Sequence, residues 1–266
     1  LENQPYPVKE IYLFRHGHSQ ANAERFRKIP FPKFFLLISK VFGFSITIKF
    51  IQILDRLRGH NNKYPTADKD TPLEPLGIEQ ALLTGKILAE KSILPDLILC
   101  SDYLRTRQTA NGIIKGIEKK LDKKLEAHIL YSTLIVERDG GYEYGYPLSY
   151  YPVLFPETNE MYQKSPKLDF RPPGGESIRD VRYNRIPELK KILTSLNFKT
   201  LFIVGHGVTN STIVSFLTGE PIENVRIGSP NLGVYRFTSD PESDKWQLDP
   251  KFARGKTIDS SIPFSG

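Results

Sequence analysis

Two histidines, each followed by glycine and each just after an apolar run, hold the greatest capacity for chemistry in this sequence. They are His16, in Arg15-His16-Gly17, and His206, in Gly205-His206-Gly207. An imidazole is both a nucleophile and a proton carrier near neutral pH. Arg15 adjoins the first histidine, and Arg105 follows a third apolar run. The forked guanidinium of arginine matches the oxygens of a phosphoryl group. Glu137 offers a carboxyl group that could protonate a leaving alcohol. Phosphoryl transfer through an enzyme nucleophile needs such a set: a free imidazole, cations around the equatorial oxygens, a proton donor and fixed hydrogen-bond donors.

These residues act together only if the chain gathers them. Glu10 to Arg15, Asp96 to Cys100 and Thr200 to Val204 are short apolar runs that read as buried strands. Helical patterns lie between them. Glu74 to Lys91 opens with Pro75 and repeats Ile78, Leu82, Leu83 and Ile87 at helical spacing. Leu104 to Leu125 and Ser177 to Leu196 also read as helices, and another follows Gly207 to Leu217 and closes at Gly219. Strands alternating with helices predict a three-layer α/β/α fold around a mainly parallel central sheet. Ligands gather at the carboxyl ends of such strands. Arg15-His16-Gly17, Ser101 and Gly205-His206-Gly207 all follow strands, which puts them on one rim.

The order of these segments resembles the histidine phosphatase superfamily, the phosphoglycerate mutase-like group. Arg15-His16-Gly17-His18-Ser19 with Asn22 is similar to its signature, and Ser101 to Ala110 to its second motif, whose first arginine maps to Arg105. Leu76 to Ala81, Glu137 to Gly145, Gly174 to Ser177 and Val204 to Gly207 resemble further family segments. The resemblance implies that His16 attacks phosphorus and becomes phosphohistidine. It implies that Arg15, Arg105 and His206 hold the transferring group, with Ser19, Asn22 and the Gly207 N–H assisting. Glu137 is the implied acid, because the position after the second histidine holds Gly207-Val208 and no carboxylate. Neither metal nor cofactor is implied.

Blander roles stand beside these. Glu137 could pair with Arg138 or Arg107, and Asp139 and Glu143 are alternative acids. Ser19 is equally suited to cap a helix. His18, His60 and His128 have no constellation around them.

Family mutases carry a leucine-asparagine-lysine signature after the acid. This chain has Gly145-Tyr146-Pro147-Leu148-Ser149-Tyr150 there, so the resemblance implies a phosphatase acting on a small phosphorylated substrate. The alternatives are phosphoglycerate mutase-type transfer and a non-catalytic module that binds phosphate or membrane.

A single cysteine, Cys100, excludes an internal disulfide framework and a cysteine-based metal site. Leu1 to Pro7 shows no basic stretch followed by an apolar run, so no signal peptide is expected there, and a cytoplasmic location is. The net charge of +7 is local: Glu24 to His60 holds eight basic residues against Glu24 and Asp55. Relative to the family this region, 27–70, is an insertion of about 35 residues, longer than most structureless loops. Within it Phe34, Leu37, Ile38, Val41 and Phe42 follow helical spacing, as do Ile46, Phe50, Ile53, Leu54 and Leu57, with a break from Gly43 to Ser45.

A helical hairpin is therefore expected, either as a lid on a single domain spanning 1–266, as a peripheral membrane contact through 31–57, or as an oligomer contact. Lys40 and Lys49 interrupt any membrane span. No nucleic acid is expected as a partner, since no recognisable motif accompanies the charge. Segment 140–173, rich in Tyr, Pro and Gly, reads as a long loop region over the active rim, and the tail from Lys251 as loosely packed.

Overall fold

The computed structural model describes residues 9–25, 32–57, 68–146, 148–240 and 245–263. Leu1 to Pro7, Arg27, Lys28, Arg58 and His60 lie outside them. In chain order the first elements are β1 (Glu10–Arg15), α1 (Gln20–Arg25), α2 (Pro32–Phe42), α3 (Phe44–Leu57), α4 (Pro75–Glu90), β2 (Leu97–Ser101), α5 (Leu104–Leu121) and β3 (His128–Ser132). They are followed by α6 (Tyr151–Leu154), α7 (Pro156–Lys164), α8 (Ile178–Asp180), α9 (Leu189–Ser195), β4 (Thr200–Gly205), α10 (Gly207–Thr218), β5 (Val234–Ser239) and β6 (Trp246–Leu248). The described residues fall into two compact units, one drawn from 1–19, 72–138 and 178–266, the other from 20–71 and 139–177.

The first unit is built on a six-stranded sheet in the order β3-β2-β4-β1-β5-β6. Strands β1 to β4 are parallel, whereas β5 runs antiparallel to β1 and β6 to β5. Both faces of the central strands are covered, so their residues alternate between two cores. Ile11, Leu13, Leu99, Leu201 and Ile203 face Leu189, Ile213 and Leu217 of α9 and α10. Tyr12, Phe14, Ile98, Phe202 and Val204 face Leu88, Ile113 and Ile117 of α4 and α5. Each such buried side chain contributes about 1.5–3 kcal/mol. Between α4 and α5 the backbones meet directly, since a Cβ on Gly85 would stand 2.1 Å from the Ile113 oxygen and one on Gly116 2.2 Å from that of Leu82.

The expected mainly parallel sheet is present, with three further strands. The edge strand β3 is too exposed to show alternation, while Val234-Tyr235-Arg236-Phe237 of β5 carries β-branched and aromatic residues. Ser177 to Leu196, expected as one helix, is interrupted. After α8 comes a π-helical stretch, Val181–Arg185, and a 3-10 turn, Ile186–Glu188, before α9 begins. Pro187 has no N–H for the helical ladder, and a π-type stretch absorbs such a defect. The tail from Lys251 is not loose: Ile262 is buried, the Val234 N–H donates to the Lys256 carbonyl, and Gln80 Nε2 donates to that of Pro263.

In the second unit α2 and α3 are joined at Gly43, whose φ of +77° is a left-handed conformation that favours glycine. Phe35 and Ile51 pack with Tyr150, Val153 and Leu154 in a small core. Segment 140–173, expected as a loop, contains α6 and α7. Each has a proline in its first turn, where the missing N–H costs nothing. Prolines that start helices resemble prolines that break them.

Candidate active site

All four parallel strands deliver residues to their carboxyl ends. Arg15 ends β1 opposite Gly205 at the end of β4, so His16 and His206 leave the sheet as neighbours. Their rings lie 5.3 Å apart at 62°. Ser101 ends β2 and is followed by Tyr103 and Arg105 at the start of α5, while β3 leads through the turn Thr133–Ile135 to Glu137.

His16 is almost wholly buried, and its Nδ1 lies 2.7 Å from the Gly17 carbonyl oxygen. A carbonyl only accepts, so the proton resides on Nδ1 and the lone pair on Nε2. Arg105 Nε–H donates to that lone pair at 3.3 Å. The loop beneath is pinned on each side. The His16 N–H donates to the Gly205 carbonyl, Asn231 Nδ2 donates to the His16 carbonyl at 2.9 Å, and the Gly17 N–H to Thr109 Oγ1 at 3.0 Å. The start of α4 presses on this loop so closely that a Cβ on Gly77 would stand 2.1 Å from the His18 oxygen.

His206 is fully buried, with Nε2 2.8 Å from Ser101 Oγ. The Tyr103 N–H donates to the same hydroxyl at 3.4 Å, so Ser101 Oγ ties His206 to the start of α5. The His206 Nδ1 has no hydrogen-bond partner among the described protein atoms. A buried imidazole nitrogen of this kind, when it carries the ring proton, can donate to an oxyanion. Burial, and then the charges of Arg105 and Arg15, hold His16 well below the ordinary imidazole value. Burial, Arg105, His16, Arg15 and Arg185 do the same for His206. Both rings are therefore neutral near neutral pH, which keeps a lone pair on His16 Nε2.

Arg105 is buried and lies over the Tyr103 ring with Cζ 4.9 Å from its centre, and the same ring packs against His206 at 5.1 Å. The Arg15 guanidinium donates from Nη1 to the Ser229 carbonyl. Gly207 opens α10 beside Arg15, where a Cβ would make ordinary van der Waals contact with Arg15 Nε at 3.4 Å.

Glu137 lies at the amino end of α10, where Oε1 accepts from the Thr209 N–H at 3.2 Å and Oε2 from the Val208 N–H at 3.4 Å. The carboxylate and the helix dipole are matched there. The structure thus brings His16, Arg15, Arg105, His206, Gly207 and Glu137 to one rim of the first unit. Ser19 is buried in that unit and pairs with Leu73 in an isolated bridge. Asn22 stands on α1, in the second unit, as do Asp139 and Glu143. Asp139 Oδ1 accepts from the Gly141 N–H, and Glu143 Oε1 from the Thr158 hydroxyl at 2.7 Å. Arg107 pairs with Asp102 at 3.7 Å.

Several contributors were not singled out by sequence. Tyr103 is inside the second motif, where its aromatic type was the signal. Arg185 comes from the π-helical stretch, a feature frequent at functional sites. Asn231 had no signal; it precedes Leu232, which holds a left-handed φ of +53° beneath the site. Among the described residues no group of three or more His, Cys, Asp or Glu could hold a metal ion.

Known proteins resemble this chain in both sequence and fold. The sequence profile of the histidine phosphatase superfamily (branch 1) matches residues 59–249. That stretch contains Arg105, Glu137 and His206; Arg15 and His16 precede it, across the insertion, and the fold brings them back. Human ubiquitin-associated and SH3 domain-containing protein B is 38% identical over 131 residues, 47% of this chain and only 18% of that protein. The 2,3-bisphosphoglycerate-dependent phosphoglycerate mutase of Rhizobium etli is 28% identical over 181 residues, 66% of this chain and 83% of the mutase. The crystal structure of the alpha-ribazole phosphatase from Shigella flexneri superposes with a TM-score of 0.65 at 16% identity, covering 94% of this chain and all of the other. With a profile match over most of its length and the phosphoglycerate mutase-like fold, this chain belongs to the histidine phosphatase superfamily, branch 1.

Proposed function

We propose that this protein is a metal-independent phosphatase that hydrolyses phosphate monoesters through a phosphohistidine at His16. The observation that carries the reading is the Nδ1 contact to Gly17, which leaves the Nε2 lone pair for attack. As phosphorus approaches, the Arg105 Nε–H exchanges Nε2 for a phosphoryl oxygen. The Nε2–P bond forms while the bond from phosphorus to the ester oxygen breaks, and Glu137 gives its proton to the departing alkoxide. Glu137 then takes a proton from water, the water oxygen attacks phosphorus, and the Nε2–P electron pair returns to the imidazole as phosphate leaves. Arg15, Arg105 and His206 offset the charge on the equatorial oxygens throughout. A single, buried cysteine suits a reducing compartment such as the cytoplasm.

The test is turnover of p-nitrophenyl phosphate by the wild type and by His16→Ala, with trapping of an acid-labile phosphoenzyme. Loss of both signals in the variant supports the reading; equal rates in the two proteins refute it. Mutase-type transfer is the second reading, favoured by the likeness to the bisphosphoglycerate-dependent mutases. Opposing it, Gly145 to Tyr150 lacks the lysine-bearing signature expected of a mutase. Interconversion of phosphoglycerates in the presence of a bisphosphoglycerate primer would decide for transfer.

A further inference from the structure

The α2–α3 hairpin exposes apolar surface that the chemistry does not use. Phe34, Leu37 and Val41 recur at i, i+3 and i+7 on α2, and Phe50, Ile53 and Leu57 repeat that spacing on α3. Each is between 48% and 78% exposed, while Phe35 and Ile51 on the opposite faces are buried. The concentration is unusual: α2 and α3 hold eight of the eighteen exposed large apolar side chains among the described residues. Soluble proteins rarely leave so contiguous an apolar surface without a use for it.

The charge around it identifies the occupant. Lys33, Lys40 and Lys49 are exposed on the same two helices. From Phe26 to Arg58 the sequence has seven basic residues and one acidic residue, Asp55. A second copy of the chain would bring like charges together, whereas an anionic surface would complement them. Length sets the mode of contact. The helices of 11 and 14 residues are about 16 and 21 Å long, short of the roughly 30 Å hydrocarbon core. No helix among the described residues is long and apolar enough to cross a membrane. We infer that the α2–α3 hairpin docks this protein on the surface of an anionic lipid bilayer, its apolar stripes in the acyl boundary and its lysines at the headgroups. This goes beyond the proposed hydrolysis and is independent of it.

The full chain is tested by flotation with vesicles of phosphatidylcholine alone or mixed with phosphatidylserine. It is expected to float with the mixed vesicles, weakly with the neutral ones, and less as salt is raised. Leu37→Glu combined with Phe50→Glu should lower partitioning by about ten-fold or more. Lys40→Gln and Lys49→Gln should each lower binding to the mixed vesicles by about five-fold. All of these variants should keep the wild-type far-UV circular dichroism and turnover of a soluble ester, which separates loss of docking from loss of fold. Phe50→Trp should shift its emission to the blue on binding, above the background of the single native tryptophan. The inference is overturned by a wild type that ignores both vesicles, or by variants that float as the wild type does. It is also overturned if the Leu37 and Phe50 changes convert a dimer to a monomer in sedimentation without altering flotation, since the face would then be a self-interface.

Discussion

The two buried imidazoles make stability depend on pH in a calculable way. His16 and His206 are held neutral by burial and by the guanidinium charges of Arg105 and Arg15, with Arg185 acting on His206 as well. In the unfolded chain each would protonate near the ordinary value of about 6.5. Between the folded and unfolded values the unfolded state binds more protons, so stability rises with pH through that window. It is fully present above the unfolded value and is lost as pH falls toward the folded one. One proton corresponds to roughly 1.4 kcal/mol per pH unit, and two groups to roughly 3.

The rings are 5.3 Å apart, so a charge on one further disfavours a charge on the other, and the pair resists protonation together. The assay is urea denaturation from about pH 7.5 to about pH 5.5, comparing the wild type with His16→Asn/His206→Asn. The double variant will be less stable at neutral pH, but only the pH dependence is compared. The wild type should lose stability over this range with a slope steeper by roughly 3 kcal/mol per unit once pH is below the unfolded value. Parallel pH profiles for the two proteins would falsify the assignment of neutral, buried imidazoles.

Arg105→Lys keeps the charge but loses the Nε–H that reaches His16 Nε2, so kcat for p-nitrophenyl phosphate should fall about 100-fold while the fold is retained. Glu137→Gln retains an oxygen for the Thr209 N–H, so stability should change by only about 0.3–1 kcal/mol. Its turnover of alkyl phosphates should fall by about 10²–10⁴, with much less loss for p-nitrophenyl phosphate, whose leaving group needs no proton. Equal effects on the two substrates would reduce Glu137 to a helix cap. Gly77→Ala places a Cβ against the His18 carbonyl oxygen, so unfolding by urea should show a loss of about 1–3 kcal/mol, accompanied by lower kcat.

Legibility followed burial and local chemistry. Strands β1, β2 and β4 were readable because both faces are covered and their apolar runs are uninterrupted, and they are the strands that carry Arg15, Ser101 and Gly205. Strand β3 was not, because an edge strand such as His128–Ser132 need not alternate. The helices α6 and α7 were hidden by Pro152 and Pro156, which start helices but read as loop residues. At the site, His16, Arg15, Arg105 and His206 were legible from their placement after strands and from the family motifs. The contacts of the rings were not: His16 Nδ1 meets the neighbouring Gly17 carbonyl, and His206 meets Ser101 only once β2 and β4 are brought together. Asn231 illustrates the limit, since an amide in an irregular turn gives no periodic signal, yet it holds the His16 carbonyl.

The position of the insertion explains how a phosphoryl pocket can tolerate it. The chain leaves the first unit after Ser19 and returns at Pro72, and Ser19 pairs with Leu73 at the point of departure and return. His18 and Glu74 are tied across the same neck by the Glu74 N–H to the His18 carbonyl, and Gln80 of α4 accepts from the His18 N–H at 2.9 Å. The loop bearing His16 is thus fastened to α4 whatever length of chain intervenes. Loop-closure entropy grows only with the logarithm of length, each doubling costing about 0.6 kcal/mol, so a longer excursion adds little once the neck is formed. Chemistry and docking can then change separately: substitutions at Leu37 or Phe50 act on a surface whose chain is closed off at Ser19 and Leu73, while Gly77 and Gln80 of α4 act on the loop that bears His16 through His18.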